Sequence, residues 1–273
     1  MKIAGIPRNP ENSPNMSDKD MRLFHEIAEE LRESGHTVTL LDESDEIPDD
    51  CEALFHMSRT AATLDRVAEC EAKGIFVTNP AAGVRNCSRR EFVEILQRNS
   101  IRQPKYTLID VAADKERNLQ FPGWLKNSKG WSCKADDVQF VATAEEYARA
   151  LDALAANGHS EAIFCEHIKG DIVQFYAIRG EEFFRYHYPA PSATKFGLER
   201  INGEAQRHKF DAEQLRETAL QAAEAMNINI FGGDCIITAE GEIYIIDIND
   251  FPSFSAYRSE AAKAIASSII KRK

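Results

Sequence analysis

The sequence predicts an α/β protein in which a small parallel unit of strands and helices is followed by antiparallel strand pairs. Three observations predict this. Over residues 1–86 short β-rich runs alternate with helical patterns, as in a parallel sheet with crossover helices. Residues 172–178 and 182–188 read as two strands joined across Gly180-Glu181. Within Phe231 to Tyr257, the apolar runs Cys235-Ile236-Ile237 and Ile243-Tyr244-Ile245-Ile246 flank the turn signal Ala239-Glu240-Gly241, which is a β-hairpin pattern.

Composition sets bounds on function. A chain of 273 residues can bury a large core spread over one to three units. Its 43% hydrophobic and 28% charged residues are ordinary for a globular protein, and no apolar run has the length of a membrane span. Met1-Lys2-Ile3 leads straight into a strand rather than a signal peptide, so a cytoplasmic location without membrane contact is expected. The net charge of −11 speaks against a nucleic-acid-binding surface, and anionic ligands would need a local cluster of bases. The six cysteines form no Cys-x-x-Cys pair or metal-finger spacing, so buried reduced thiols are expected.

The elements follow in order. Residues 2–7 form a first strand, and the loop after it carries Arg8 and Asn9 to the carboxyl edge of the sheet, where such sheets bind ligands. Met21, Phe24, Ile27, Ala28 and Leu31 recur at helical spacing, with Ser17 as N-cap and Gly35 as stop. Strands at 37–41, 52–57 and 75–78 surround a helix over 58–73. No Gly-x-Gly-x-x-Gly occurs, so a dinucleotide fold has no support. Asn79-Pro80 breaks the pattern, and Ser88-Arg89-Arg90-Glu91 is a capping box opening a helix to about Ser100. Residues 101–104 are a linker; Trp124-Leu125-Lys126 and 138–141 are strands around a polar loop holding Ser128, Lys129, Gly130, Ser132 and Lys134. Thr143 to Glu146 is a second capping box before a helix to about Ala156, and 162–168 is a strand. Helices at 211–226 and about 259–270 flank the hairpin.

The hairpin carries the chemistry. Asp234 opens its first strand, and Asp247 and Asn249, on one face of the second, close it. Antiparallel pairing brings the three oxygen side chains together at the open end. That donor set suits a hard cation such as Mg²⁺, which takes oxygen ligands and leaves room for phosphate.

Asp234 with Asp247-Ile248-Asn249 resembles the C-terminal signature of the ATP-grasp superfamily, and the resemblance extends over about residues 79–273. It implies an N-terminal parallel α/β domain over 1–86 and an ATP-grasp domain over 87–273. Two antiparallel lobes, about 104–169 and 170–273, would clasp ATP. It implies that Asp234, Asp247 and Asn249 hold Mg²⁺, with Mn²⁺ as an alternative, and that Lys126 reaches the phosphates from its strand end. Arg89 or Arg90 stands where many members carry a phosphate lysine. Glu166, His167 and Ile168 would line the adenine pocket, with Asp171 on the ribose or phosphate side. Arg185, His187 and Lys195, unranked, are candidates for the γ-phosphate and acceptor; Ser253, Ser255 and Arg258 sit where relatives bind an acceptor carboxylate. The implied activity is an ADP-forming carboxylate–amine ligase that works through an acyl phosphate on small-molecule substrates, with a possible homodimer as its assembly. A small-molecule kinase acting on a hydroxyl, or a non-catalytic nucleotide-binding protein, are the competing readings.

Overall fold

The computed structural model of the chain describes residues 1–13, 16–129, 137–189 and 201–271. Its first sheet is built from β1 (Lys2–Ile6), β2 (Thr37–Leu40), β3 (Ala53–His56) and β4 (Phe76–Thr78). All pairings are parallel, in the order β2-β1-β3-β4. Helix α1 (Ser17–Glu33) buries Leu23, Phe24, Ile27, Ala28 and Leu31, the stripe its spacing predicts. Ser17 itself lies in the first turn, and the cap position falls on Met16, which makes no side-chain cap bond. Gly35 ends the helix with φ 84°, a conformation glycine adopts without a Cβ clash. Helix α2 (Ala61–Ala72) starts later than its sequence pattern because the Ser58 and Thr60 hydroxyls are turned to the Glu43 carboxylate.

The short α3 (Ala81–Asn86) has no counterpart in the predicted elements, and α4 (Arg89–Arg98) follows it. Ser88 occupies the N-cap of α4, but its side chain makes no cap hydrogen bond. The second sheet contains β5 (Tyr106–Asp110), β6 (Gly123–Asn127), β7 (Val138–Val141) and β8 (Glu161–Glu166). Its order is β5-β8-β6-β7 and every pairing is antiparallel. One face, with Ile109, Leu125, Val141 and Phe164, is buried under Tyr147, Leu151 and Leu154 of α5 (Ala144–Ala156). Half of the α5 capping box forms: Glu146 N donates to Thr143 Oγ1, while the Glu146 carboxylate accepts from Ala142 N, one residue before the cap.

The third sheet, order β10-β9-β11-β12, joins β9 (Asp171–Ile178), β10 (Phe184–His187), β11 (Ile230–Ile237) and β12 (Ile243–Asp250), all antiparallel. Its back face buries Val173, Phe175, Phe231, Cys235, Ile245 and Ile248 with Leu215, Ala219 and Ala223 of α6 (Ala212–Ala225). Asp211 caps α6 by accepting from Glu213 N and Gln214 N. On the front face, α7 (Arg258–Lys271) and α1 cover the end that holds Ile178 and Ile230. The other end of that face stays open.

The first sheet meets the third at one edge. Asn79, just beyond β4, accepts from Asn229 N and Ile230 N through Oδ1 at 2.9 and 2.7 Å and donates to Ile230 O at 2.8 Å. Arg8, just beyond β1, donates to the carbonyls of Asp250 and Phe251, at 3.2 and 2.7 Å. Arg8 is therefore buried in a contact between the first and third sheets and is not presented to a ligand as its position after β1 suggests. The five described cysteines, Cys51, Cys70, Cys87, Cys165 and Cys235, are buried free thiols. Among the described residues no helix is long and apolar enough to cross a membrane.

Candidate active-site cleft between two antiparallel sheets

The open end of the third sheet faces the free face of the second across a cleft of about 940 Å³, part of it open to solvent. Trp124, Lys126, Val138, Ile163 and Cys165 line one wall, and Asp234, Ile236, Ile246 and Asp247 the other. Arg89, Phe92 and Val93 of α4 and Glu166 and Ile168 complete it. The mix suits a ligand with one flat apolar end and one charged end.

Register explains the charged end. The hairpin is longer than its sequence pattern, and Asp234 sits inside β11, opposite Asp247. Gly233 makes that possible, because a Cβ there would lie 2.3 Å from the Asp247 carbonyl oxygen. A bulge after Asp234 shifts the register and leaves Asp247 and Asn249 on the face that carries Asp234. Asn249 Nδ2 donates to Asp247 Oδ2 at 2.9 Å, which fixes the amide with its oxygen uncommitted to that bond. Pairing of β9 with β11 sets Gln174 beside Asp234, and its Nε2 donates to Asp234 Oδ1 at 3.1 Å. Burial, and then the Asp247 carboxylate, push the Asp234 carboxyl up to about 7, against the opposing pull of Gln174 and Lys126.

Two adjoining carboxylates in this state fit a bound cation, whose charge would relieve the repulsion. Among the described residues no group of three or more His, Cys, Asp or Glu side chains is placed to hold a metal. The donor set is two carboxylates and one amide, which fits Mg²⁺ retaining water or substrate oxygens rather than a soft-metal site.

The remaining candidates divide. Of the two arginines at the start of α4, Arg89 lines the cleft and donates to the Asn127 side chain and carbonyl, next to Lys126. Arg90 points elsewhere, to Glu94 at 3.1 Å and Glu161 at 2.8 Å. Glu166 lines the cleft while its Oε1 accepts from Lys105 N at 2.8 Å. The amide of His167 donates to Pro122 O at 3.2 Å. The His167 ring accepts from Trp124 Nε1 at 3.1 Å and packs edge-on against Phe140, bracing that wall.

Asp171 is not in the cleft. Its carboxylate accepts from Gln206 N and His208 N, both at 2.7 Å, and it pairs with Ile237, the last residue of β11. Arg185 shares the front face with Tyr176 and Gly232, yet its guanidinium goes to Glu260 of α7 and lies over the Phe183 ring. His187 is in register with Gln174, stacks on Tyr176 at an interplanar angle of 10°, and has Nδ1 3.3 Å from the Tyr257 hydroxyl. Arg258 pairs with Glu26 at 3.5 Å and does not line the cleft; Ser253 and Ser255 bond each other at 2.8 Å. Lys195, Gly130, Ser132 and Lys134 lie outside the described residues.

Gln174 and Asp250 are absent from the candidates read in the sequence. Gln174 has a signal only once β9 is known to pair with β11. Asp250 could have been noticed as an acidic residue directly after Asn249, ahead of Phe251-Pro252.

A parallel unit followed by two antiparallel sheets that face each other over such a cleft is the ATP-grasp fold, and this chain adopts it. It aligns with D-alanyl-alanine synthetase A of Vibrio cholerae at TM-score 0.68, 12% identity, over 100% of this chain and 99% of the other. The D-alanine–D-alanine ligase of Bacillus anthracis complexed with ATP matches at 0.67 and 14%, over 99% and 96%. A RimK domain ATP-grasp protein of Sphaerobacter thermophilus matches at 0.67 and 17%, over 99% and 100%. In sequence the chain is 27% identical over 229 residues to the coenzyme γ-F420-2:α-L-glutamate ligase of Methanococcus maripaludis, covering 74% of this chain and 73% of that protein. No family model matches the chain.

Proposed function

We propose that this chain is an ATP-dependent, ADP-forming carboxylate–amine ligase. The observation that carries the reading is convergence: Lys126 of β6 and the Asp234–Asp247 pair of the β11–β12 hairpin, from separate sheets, line one cleft. The ligases that share the fold, and the 27% identical glutamate ligase, support the reaction class.

In this reading the adenine lies toward Glu166 and Ile168, and the phosphates toward Lys126 and Arg89. Asp234, Asp247 and Asn249 hold Mg²⁺ or Mn²⁺, which supplies positive charge against the phosphate oxygens. The acceptor carboxylate attacks the γ-phosphorus and ADP departs. An amine then displaces phosphate from the acyl phosphate, giving an amide. The chain's part is to bind, align and neutralise, since phosphoryl transfer asks little covalent chemistry of a protein. The proposed layout keeps an N-terminal unit over 1–86 and a nucleotide-binding unit over 87–273 that acts on small molecules in the cytoplasm.

The test is to supply Mg·ATP and L-glutamate as the amine, with a panel of carboxylates and hydroxylamine as trap. A ligase releases ADP and phosphate and yields a hydroxamate with the accepted carboxylate. A stable phosphorylated product without hydroxamate would replace this reading with the kinase.

A further inference from the structure

Three residues of the first domain, each within three positions of the end of a parallel strand, converge on the hairpin that carries the candidate metal ligands. Arg8 follows β1, Arg59 follows β3 and Asn79 follows β4. Asn79 holds the main chain of Ile230, at the start of β11. Arg59 and Arg8 hold Asp250, the residue after Asn249, at the end of β12.

The Asp250 carboxylate is 1% exposed. Arg59 donates to its Oδ1 from Nε at 2.8 Å, with Nη2 at 2.6 Å, and Arg8 Nη1 reaches its Oδ2 at 3.4 Å. Arg8 Nε is also 3.1 Å from Asp20, at an angle that makes an ion pair without a hydrogen bond. Two buried carboxylates thus balance two guanidinium groups, with the charges paired. The next residue, Phe251, takes φ 38°, a backbone region unfavourable for a bulky side chain, and Arg8 Nη2 holds it there by donating to its carbonyl at 2.7 Å.

We infer that Asp250 and Arg59 are positioning residues for the metal: clamped to the first domain, Asp250 fixes the backbone that aims Asn249 and Asp247. A fork with two donors on one carboxylate defines direction as well as charge. An amide ligand one residue away inherits that direction, as metal ligands do from the groups that orient them. This rests on the assignment of Asp234, Asp247 and Asn249 to Mg²⁺.

The experiment measures ADP affinity by calorimetry in Mg²⁺ and again in EDTA, for the full chain and its variants. In the wild type Mg²⁺ strengthens ADP binding, and Asp247→Asn removes that gain. Arg59→Gln is expected to cut the gain about tenfold while leaving affinity in EDTA unchanged, the split that a purely structural role would not produce. Arg59→Lys keeps the charge, secures a folded protein, and is expected to restore only part of the gain because the fork is lost. A folded Arg59→Gln or Arg59→Lys protein with the full wild-type gain overturns the inference alone. A wild type without any Mg²⁺-dependent gain, or an Asp247→Asn protein that keeps it, overturns the metal assignment and this inference with it.

Discussion

Asp247 faces Asp234 without an intervening base, so the two carboxylates repel in the metal-free protein. Asp247→Asn should therefore abolish Mg²⁺-dependent turnover while raising the metal-free melting temperature slightly, by up to about 3 °C for about 1 kcal/mol of relieved repulsion. Paired activity and melting curves check this, and a lower metal-free melt would contradict the electrostatic account. Across the cleft, Lys126 lies on a strand whereas Lys129 is exposed beyond its end. Lys126→Ala should weaken ATP binding about tenfold or more, the scale of one charge-assisted hydrogen bond, and Lys129→Ala should change it little. Nucleotide titrations of the two variants decide it. The carboxylate pair and its lysine were legible in the sequence because each sits in a local strand pattern. Asp171 was not, since two amides 35 and 37 residues away capture its carboxylate. Gln174 was not either, since its partner Asp234 is 60 residues away.

At the scale of elements, two changes probe how backbone and capping set the frame. Thr143→Ala removes the N-cap of α5, which packs on the sheet that carries Lys126, and should cost about 1 kcal/mol in urea denaturation. Gly233→Ala places a Cβ 2.3 Å from the Asp247 carbonyl oxygen and 2.5 Å from the Phe175 ring, so strand β12 must shift. The expected loss is about 2 kcal/mol or more, with nucleotide binding weakened in the protein that still folds. Strands and helices with strong periodicity, such as α1, α5, α6 and the hairpin, were readable. β5 was passed over because Tyr106, Thr107 and Leu108 are only half-buried on an edge strand, which gives no clean alternation. α3 was passed over because six residues make fewer than two turns, too short for a recurring apolar stripe.

For the whole molecule, mild acidification acts in two directions: the raised carboxyl of Asp234 favours the fold as it takes its proton, and the buried histidines oppose it. His56 is buried at the junction of the first and third sheets, donates from Nε2 to Asn79 O at 2.7 Å, and is held below the usual histidine range by burial. Burial lowers His167 and His187 in the same direction. A histidine that resists protonation in the fold but takes a proton when unfolded costs nothing above pH about 6.5 and destabilises below it. The His56 contribution to melting temperature should be absent near neutral pH and grow unfavourable toward pH 5, read as the difference between wild type and variant. His56→Gln should remove up to about one proton, or about 1.4 kcal/mol per pH unit, from that slope. An unchanged slope in the variant would assign the acid sensitivity elsewhere.

The three strand-end contacts bear on inheritance. An open parallel sheet ordinarily offers its carboxyl edge to whatever ligand its loops can recognise, so that edge is where a domain can vary. Here Arg8, Arg59 and Asn79 spend the edge on the neighbouring hairpin. A chimera that exchanges residues 1–86 for the corresponding part of another protein of this fold must carry these three side chains as a set, along with a matching acid at position 250. Without them the graft would join two folded halves whose reactive groups no longer share a frame. Substitutions in residues 1–86 should therefore be tolerated better on the helices than at these three strand ends, the reverse of what a sheet that uses that edge to choose its substrate would show.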